Sequence, residues 1–191
     1  YLIYTSGSTG RPKGALIAHE GLLNHLRAFA KEPGLSAGDR FLAVTTVGFD
    51  ISILEMLLPL IVGATAVLAD QEILLSPAEL AKVLEEGRIT HMQATPASWR
   101  MLLDAGWEGK PGLVSLVGGE ALDAQLAQRL MDKTGTLWNL YGPTETTIWS
   151  SAMKVEPHHA KAGKVPIGGP SDNTHFHILD AYMQPVPEGV P

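Results

Sequence analysis

Short apolar runs alternate along this chain with longer segments whose apolar residues recur at helical spacing. Leu22, Leu26 and Phe29, for example, fall on one face of a helix predicted over Gly21–Lys31. Repeated strand–helix units of this kind are typical of parallel sheets with helices on both faces. The pattern therefore predicts an α/β fold of mostly parallel sheets flanked by helices, with a β-rich segment and no further helix after Glu145.

The ends of the predicted elements follow from the ends of the apolar patterns and from glycine and proline. The predicted strands are Leu2–Tyr4, Ala15–Ala18, Phe41–Thr45, Thr65–Ala69, His91–Ala94, Val114–Val117, Thr136–Leu140, Ile148–Met153 and Phe176–Leu179. The predicted helices are Gly21–Lys31, Ser52–Val62, Pro77–Glu86, Pro96–Asp104 and Asp123–Lys133.

Composition restricts the classes of function. The 191 residues are enough for one domain with a sizeable core. The net charge of −6, without any basic cluster, argues against nucleic acid as a partner. No apolar run approaches the roughly 20 residues of a membrane span, which argues against a membrane partner. The sequence has no cysteine, which excludes disulfides and thiolate chemistry and favours a cytoplasmic location.

The segment Tyr4–Gly14 carries the first candidate chemistry. Its glycines allow backbone N–H groups to approach an anion, its hydroxyl groups add donors, and Arg11 and Lys13 supply positive charge. A loop of this composition after a strand predicts a polyphosphate site. It is not the usual P-loop, in which lysine directly follows glycine, because Pro12 precedes Lys13. The candidate phosphate-binding residues are Thr5, Ser6, Gly7, Ser8, Thr9, Gly10 and Lys13.

Four further segments follow this loop in a fixed order: Phe49–Ser52, Gly118–Leu122, Asn139–Glu145 and Pro166–Asp180. Together the five resemble the motifs of the adenylate-forming enzymes, the superfamily of acyl-CoA synthetases, luciferases and peptide-synthetase adenylation domains. The resemblance to peptide-synthetase adenylation domains implies that residues 1–191 form the central part of the large N-terminal subdomain, truncated at both ends. A smaller C-terminal subdomain with the catalytic lysine is then expected outside this chain.

The resemblance also implies a role for each polar residue of these segments. Tyr141 is expected to stack on adenine, Asn139 to bind its exocyclic amine, and Thr144 to bind the α-phosphate. Glu145 is expected to hold Mg²⁺, for which a carboxylate is a suitable ligand. The catalytic set is Lys13, Thr144 and Glu145, and the rest of the nucleotide site is Gly119, Glu120, Ala121, Asn139, Tyr141 and Gly142.

Asp50 lies between Phe49 and Ile51, just before a strongly apolar predicted helix. A helix N-cap is one role for such an aspartate, but the spacing of Ser52 and Glu55 predicts a capping box that already serves this helix. A buried carboxylate is costly unless a cation meets it, and the ammonium group of an α-amino acid is such a cation. In the family that the chain resembles, an aspartate here marks enzymes that activate α-amino acids.

The resemblance assigns a pocket for the substrate side chain as well. Trp149, Gln93 and several leucines would fill this pocket, and the set resembles that of glycine-activating domains. Glycine is therefore the expected substrate and alanine the second choice, because overpacking excludes one methyl group by about 1–3 kcal/mol. The assigned substrate-binding residues are Phe49, Asp50, Ile51, Leu54, Gln93, Leu116, Gly118, Leu140, Ile148 and Trp149.

The implied reaction joins the amino acid to the α-phosphorus of ATP, with release of pyrophosphate. The implied partners are a carrier domain, whose phosphopantetheine thiol accepts the acyl group, and a condensation domain of the same assembly line. The fragment is expected to be inactive alone. Three alternatives stay open: an acyl- or aryl-acid CoA ligase of the same superfamily, a phosphate-binding NTPase of another class, and a non-catalytic adenylate-binding module.

Overall fold

A six-stranded sheet forms the centre of the computed structural model, which describes residues 1–6, 10–161, 163 and 165–189. A separate antiparallel hairpin precedes it, formed by β1 (Leu2–Thr5) and β2 (Lys13–Leu16). The sheet strands are β3 (Arg40–Ala43), β4 (Thr65–Leu68), β5 (His91–Ala94), β6 (Lys110–Val117), β7 (Thr134–Tyr141) and β8 (Ser151–Lys154). Their order is β4-β3-β5-β6-β7-β8, and β8 alone runs antiparallel to its neighbour in this sheet.

Helices cover both faces of the sheet. They are α1 (His19–Phe29), α2 (Ile51–Val62), α3 (Gln71–Leu75), α4 (Pro77–Glu86), α5 (Pro96–Asp104), α6 (Ala124–Lys133) and α7 (Pro157–Lys161). Within the described ranges, none of these helices has the length and apolar character needed to cross a membrane.

The hydrophobic core is divided into two clusters by the sheet, because successive strand residues point to opposite faces. One cluster packs α4, α5 and α6 against side chains such as Leu42 and Val117. The other packs α1 and α2 against side chains such as Phe41 and Leu116. The candidate site lies at the edge of the sheet where the parallel strands end.

Local capping explains where several helices begin. The side chains of Asp70, Ser76, Thr95 and Asp123 each accept a hydrogen bond from a backbone amide in the first turn of the following helix. Caps of this kind typically contribute about 1 kcal/mol each. They hold α4 and α5 at the bounds that the sequence predicts.

The predicted α/β fold with mostly parallel strands and helices on both faces is confirmed, but several elements differ. The β2 strand begins two residues before the predicted Ala15–Ala18, and α1 begins before the predicted Gly21–Lys31. The expectation that helices cease after Glu145 is wrong, because α7 follows β8. The predicted strand Phe176–Leu179 is also wrong, since only Leu179 forms an isolated bridge there, to Pro185.

Candidate functional site

Two clefts open at the carboxyl edge of the parallel strands, the edge at which α/β sheets bind ligands. The first has a volume of about 430 Å³ and lies beyond the ends of β6 and β7. Six residues predicted for the nucleotide line it: Gly119, Glu120, Ala121, Asn139, Tyr141 and Gly142. The structure therefore brings the segments Gly118–Leu122 and Asn139–Glu145, both predicted to bind the nucleotide, together around one cleft.

Asn139 is buried in the wall of this first cleft, and its side-chain nitrogen donates to the carbonyl of Pro166 at 2.8 Å. The amide oxygen is thus the atom left to accept a hydrogen bond, as an exocyclic amine would require. Tyr141 ends β7, is about half exposed, and lines the cleft.

The second cleft has a volume of about 330 Å³ and lies beyond β3 and β5. Predicted substrate residues line part of it, namely Phe49, Ile51, Gln93, Gly118 and Trp149. Trp149 lies in the walls of both clefts, so its indole forms part of the partition between them.

Two glycines permit this position of Trp149. A Cβ atom on Gly118 would lie 2.5 Å from Cη2 of the indole, so the ring packs flat against the β6 end only because glycine is there. A Cβ atom on Gly142 would lie 2.5 Å from the Ile148 carbonyl oxygen and from the Trp149 Cα. The chain thus folds back tightly over Gly142, with Thr147 and Ile148 at positive φ angles of 72° and 63°.

Asp50 occupies the N-cap position of α2, but its side chain accepts no capping hydrogen bond. It is 7% exposed, and its Oδ2 atom is buried with no hydrogen-bond partner among the described residues. Burial raises the pKa of the Asp50 carboxyl, the Thr144 hydroxyl and the Ile51 amide oppose that rise, and the charge of Glu145 adds to it. Asp50 therefore lies near the Thr144–Glu145 turn, with one oxygen that no described residue satisfies.

The predicted capping box is wrong. Ser52 does not cap α2 as predicted, since its hydroxyl donates to the Phe49 carbonyl at 2.7 Å. Glu55 is fully buried and instead accepts from the backbone amides of Val44 and Thr45. Burial raises the pKa of Glu55 to about 7, although these hydrogen bonds act in the opposite direction. Asp50 is therefore not the single buried carboxylate of this site.

The predicted catalytic residues Lys13, Thr144 and Glu145 lie on neighbouring elements. Thr144 and Glu145 form a 3₁₀ turn, Thr144–Thr146, which contacts β2. Lys13 begins β2 and is paired with Thr5 of β1, whose hydroxyl donates to the Lys13 carbonyl at 3.4 Å. Ser6 is exposed, and Gly10 follows the loop with a φ of 78°. The predicted phosphate-binding residues Gly7, Ser8 and Thr9 lie outside the described residues.

The apolar pocket residues form one packed group. Leu54, Leu116, Leu140, Ile148 and Trp149 are each at most 3% exposed and belong to one hydrophobic cluster, with Ile51 packed against it. Phe49, by contrast, is 64% exposed. The structure therefore joins most of the predicted pocket to the core of the α1–α2 face, and leaves Phe49 at its rim.

Sequence reasoning missed Tyr1, Glu55 and His25 at this site. The Tyr1 hydroxyl is buried without a hydrogen-bond partner among the described residues, and burial, with the charge of Asp50, raises its pKa to about 12. The His25 ring packs at a tilt against Phe29, at a ring-centroid distance of 4.4 Å, and burial lowers the pKa of His25 to about 4. Of these three residues, only Glu55 carries a signal in the sequence, because it is the one charged residue in the largely apolar helix α2.

Comparison with known proteins decides the family. The family described as AMP-binding enzyme matches residues 1–191, the whole chain. The chain belongs to this family. The adenylate-forming resemblance seen in the sequence motifs is thus confirmed.

Individual relatives of this AMP-binding chain are nonribosomal peptide synthases. It is 50% identical over 190 residues to a dimodular nonribosomal peptide synthase of Bacillus subtilis (strain 168), covering 100% of this chain and 8% of that protein. A four-domain nonribosomal peptide synthetase bound to AMP and glycine superposes with a TM-score of 0.92 at 43% identity, covering 100% of this chain and 14% of the other. The Vibrio cholerae adenylation domain AlmE, in complex with glycyl-adenosine-5'-phosphate, superposes with a TM-score of 0.89 at 28% identity, covering 100% and 37%. The chain thus spans a small part of each of these proteins.

Proposed function

We propose that this chain is part of an adenylation domain that activates glycine as glycyl-AMP at the expense of ATP. Alanine is the second candidate substrate. The observation that carries the proposal is the Asp50 carboxyl beside the Thr144–Glu145 turn, one oxygen of which is buried without a hydrogen-bond partner among the described residues. A fold keeps such a group at a cost in stability unless a cation from outside completes it.

The pocket supports glycine over larger amino acids. The indole of Trp149 is 3% exposed, packs against Gly118, and is surrounded by leucine and isoleucine side chains of one cluster. A substrate side chain directed toward Trp149 would have to displace this packing, and one extra methyl group costs about 1–3 kcal/mol in an overpacked pocket. Two structurally similar proteins were observed with glycine and AMP or with glycyl-adenosine-5'-phosphate.

The proposed chemistry needs no nucleophile from the protein, because the substrate carboxylate attacks the α-phosphorus and pyrophosphate leaves. The chain's residues position two anions and balance their charge. Asp50 would hold the ammonium group, and Thr144, on the neighbouring turn, would donate to the α-phosphate. Lys13 on β2 would neutralise the phosphates, while Asn139 and Tyr141 would hold the adenine in the first cleft.

Glu145 fits the implied Mg²⁺. It is exposed on the 3₁₀ turn, and its carboxylate makes no hydrogen bond or ion pair with the residues that the structure describes. One carboxylate is enough in principle, since Mg²⁺ is usually bound by one or two carboxylates together with substrate phosphates and waters. The ion would supply charge neutralisation at the phosphates when bound.

We also propose that residues 1–191 are the central part of the large adenylation subdomain. The catalytic lysine of the smaller subdomain would then lie outside this chain, and the chain would have little activity alone. Its homology to nonribosomal peptide synthases supports a carrier domain with a phosphopantetheine thiol, and a condensation domain, as partners.

Amino-acid-dependent exchange between ATP and labelled pyrophosphate tests the function, using the intact enzyme that contains this chain. We expect exchange with glycine, weaker exchange with alanine, and little with other amino acids. Exchange supported only by fatty or aryl acids would identify a CoA ligase of the same family. Absence of exchange with every acid would favour a non-catalytic adenylate-binding module.

A further inference from the structure

A second buried carboxylate on α2 has no part in the chemistry proposed above. Glu55 is 0% exposed, and its Oε2 accepts from the amides of Val44 and Thr45 at 3.0 and 2.9 Å. These two bonds join the first turns of α2 to the carboxyl end of β3. They account for one of the two carboxylate oxygens.

The other oxygen, Oε1, is connected by hydrogen bonds to residues of the proposed substrate pocket. It accepts from the Thr45 hydroxyl at 2.7 Å and from the Gln93 side-chain nitrogen at 3.4 Å. The Gln93 side-chain oxygen in turn accepts from the indole nitrogen of Trp149 at 2.8 Å. Gln93 and Trp149 are 1% and 3% exposed, so these bonds are sheltered from water. We refer to these three residues as the Glu55–Gln93–Trp149 network.

The donors and acceptors of this network allow only one arrangement. An indole nitrogen can only donate, and on the other side of Gln93 the Glu55 Oε1 is the acceptor, as its bond from the Thr45 hydroxyl also shows. The amide of Gln93 lies between them and can satisfy both partners only with its oxygen toward Trp149 and its nitrogen toward Glu55. The orientation of one buried amide thus depends on a carboxylate on another element.

We propose that Glu55 is a positioning residue for substrate selection: by orienting the Gln93 amide, it holds the Trp149 indole against Gly118 and keeps the pocket too small for a side chain. The inference rests on the proposed function and adds to it a residue that does not touch the substrate. It explains why a charged residue lies within the apolar sequence of α2.

The substitution Glu55→Gln tests the inference because it preserves size while changing hydrogen-bond polarity. A glutamine at this position can still accept from the Val44 and Thr45 amides, but it then presents an NH₂ group to Gln93. If Gln93 keeps its orientation, two NH₂ groups then face each other, and if it turns, its nitrogen faces the Trp149 indole, so in either case two donors meet. A buried donor without an acceptor is costly, so we expect the indole to leave its position. The glycine-to-alanine ratio of kcat/KM should fall about tenfold.

The double variant Glu55→Gln with Gln93→Glu again pairs one amide with one carboxylate, with the two groups exchanged in position. The NH₂ group on α2 then donates to the new carboxylate, which also accepts from the Trp149 indole. We expect this double variant to recover the parental glycine-to-alanine ratio to within about threefold. A residue that acted only through general stability would not be rescued by a second change in the core.

Leu84→Val serves as the matched control for lost stability, because Leu84 is fully buried in the other core cluster. We expect it to leave the substrate ratio unchanged. If the parent enzyme prefers glycine and Glu55→Gln keeps the parental ratio, the inference is wrong while the proposed function stands. If the parent shows no amino-acid-dependent exchange, the proposed function fails instead.

A crystal structure of the Glu55→Gln enzyme tests the inference independently of activity. We expect the Gln93 amide to be reversed and the Trp149 ring to have moved from Gly118. An indole still packed on Gly118 and still donating to Gln93 would overturn the inference, whatever substrate the enzyme uses.

Discussion

Asp50 is a residue whose position costs the folded chain stability. Its carboxyl is buried, its Oδ2 atom lacks a partner among the described residues, and burial raises its pKa. An amide or an apolar side chain would suit the same position better in the absence of a ligand. One substitution therefore separates a functional role of Asp50 from a structural one.

The substitution Asp50→Asn keeps the shape of the side chain and removes its charge. We expect kcat/KM for glycine to fall at least about thirtyfold, since an ion pair at about 4 Å with an effective dielectric near 20 attracts with about 4 kcal/mol before desolvation. The free energy of unfolding, measured in urea, should stay equal or rise. Asp70→Asn is the matched control, because Asp70 is an exposed N-cap and asparagine caps equally well. Loss of stability together with activity in Asp50→Asn would indicate a structural role.

Trp149 is the residue proposed to limit the size of the substrate pocket. Replacing it by Ala should raise the alanine-to-glycine ratio of kcat/KM at least about tenfold, because the space held by the indole becomes available. Trp107→Phe, a change in the other core cluster, should leave that ratio unchanged. The assignment of the pocket fails if Trp149→Ala rejects alanine as strongly as the parent enzyme does.

At the scale of elements, the sequence predicted correctly the bounds of those helices and strands whose ends depend on residues within the segment itself. The bounds of α4, α5 and β5 agree with their predictions, because α4 and α5 each begin at a proline and β5 is a short run that ends just before the start of α5. The short helices α3 and α7 were missed, since five residues are too few to show a helical period.

The role of Glu55 could not be read from the sequence for a different reason. The spacing of Ser52 and Glu55 is a valid local signal for a capping box. The actual partners of Glu55 come from the end of β3 and from Gln93 on β5, and only the folded sheet brings these together. The lining of the first cleft was easier to predict, because Gly119, Asn139 and Tyr141 each lie within a short segment that the sequence itself singles out.

The tight packing of the loop between β7 and β8 can be tested at Gly142. Gly142→Ala would place a Cβ atom within 2.6 Å of three backbone atoms of residues 148–150. We expect it to lower the free energy of unfolding by about 1–3 kcal/mol and to reduce glycine activation, because backbone atoms must shift to admit it. In Gly112→Ala the new Cβ meets nothing within 4 Å, so that control should be near neutral. Equal effects of the two changes in urea unfolding would contradict the packing described for this loop.

At the scale of the whole molecule, the α1–α2 face holds two buried groups that titrate in opposite senses. The pKa of Glu55 is raised from 4.5 to about 7, so its contribution to stability is fully present below pH 4.5 and is lost as the pH rises to about 7. The pKa of His25 is lowered from 6.5 to about 4, so its contribution is present above pH 6.5 and is lost as the pH falls to about 4. The two contributions largely offset one another in the intact chain.

Removing either group should therefore leave only the pH dependence of the free energy of unfolding that the other group causes. In Glu55→Gln, the free energy of unfolding should rise between about pH 4.5 and 6.5 by on the order of 3 kcal/mol more than in the parent chain. In His25→Leu the difference from the parent should have the opposite sign. Urea unfolding followed by tryptophan fluorescence measures both, because all four tryptophans are buried. Parallel pH profiles for the three proteins would rule out the buried titrations.

The most direct measurement compares glycine with glycolic acid and acetic acid as substrates of the intact enzyme in ATP–pyrophosphate exchange. The three share a carboxylate and a small size, and only glycine carries the ammonium group that Asp50 is proposed to bind. Glycine should be used with a kcat/KM at least about a hundredfold higher than either acid, because with the other two the buried Asp50 carboxylate has no cationic partner. Equal use of the three acids would contradict the central role assigned to Asp50.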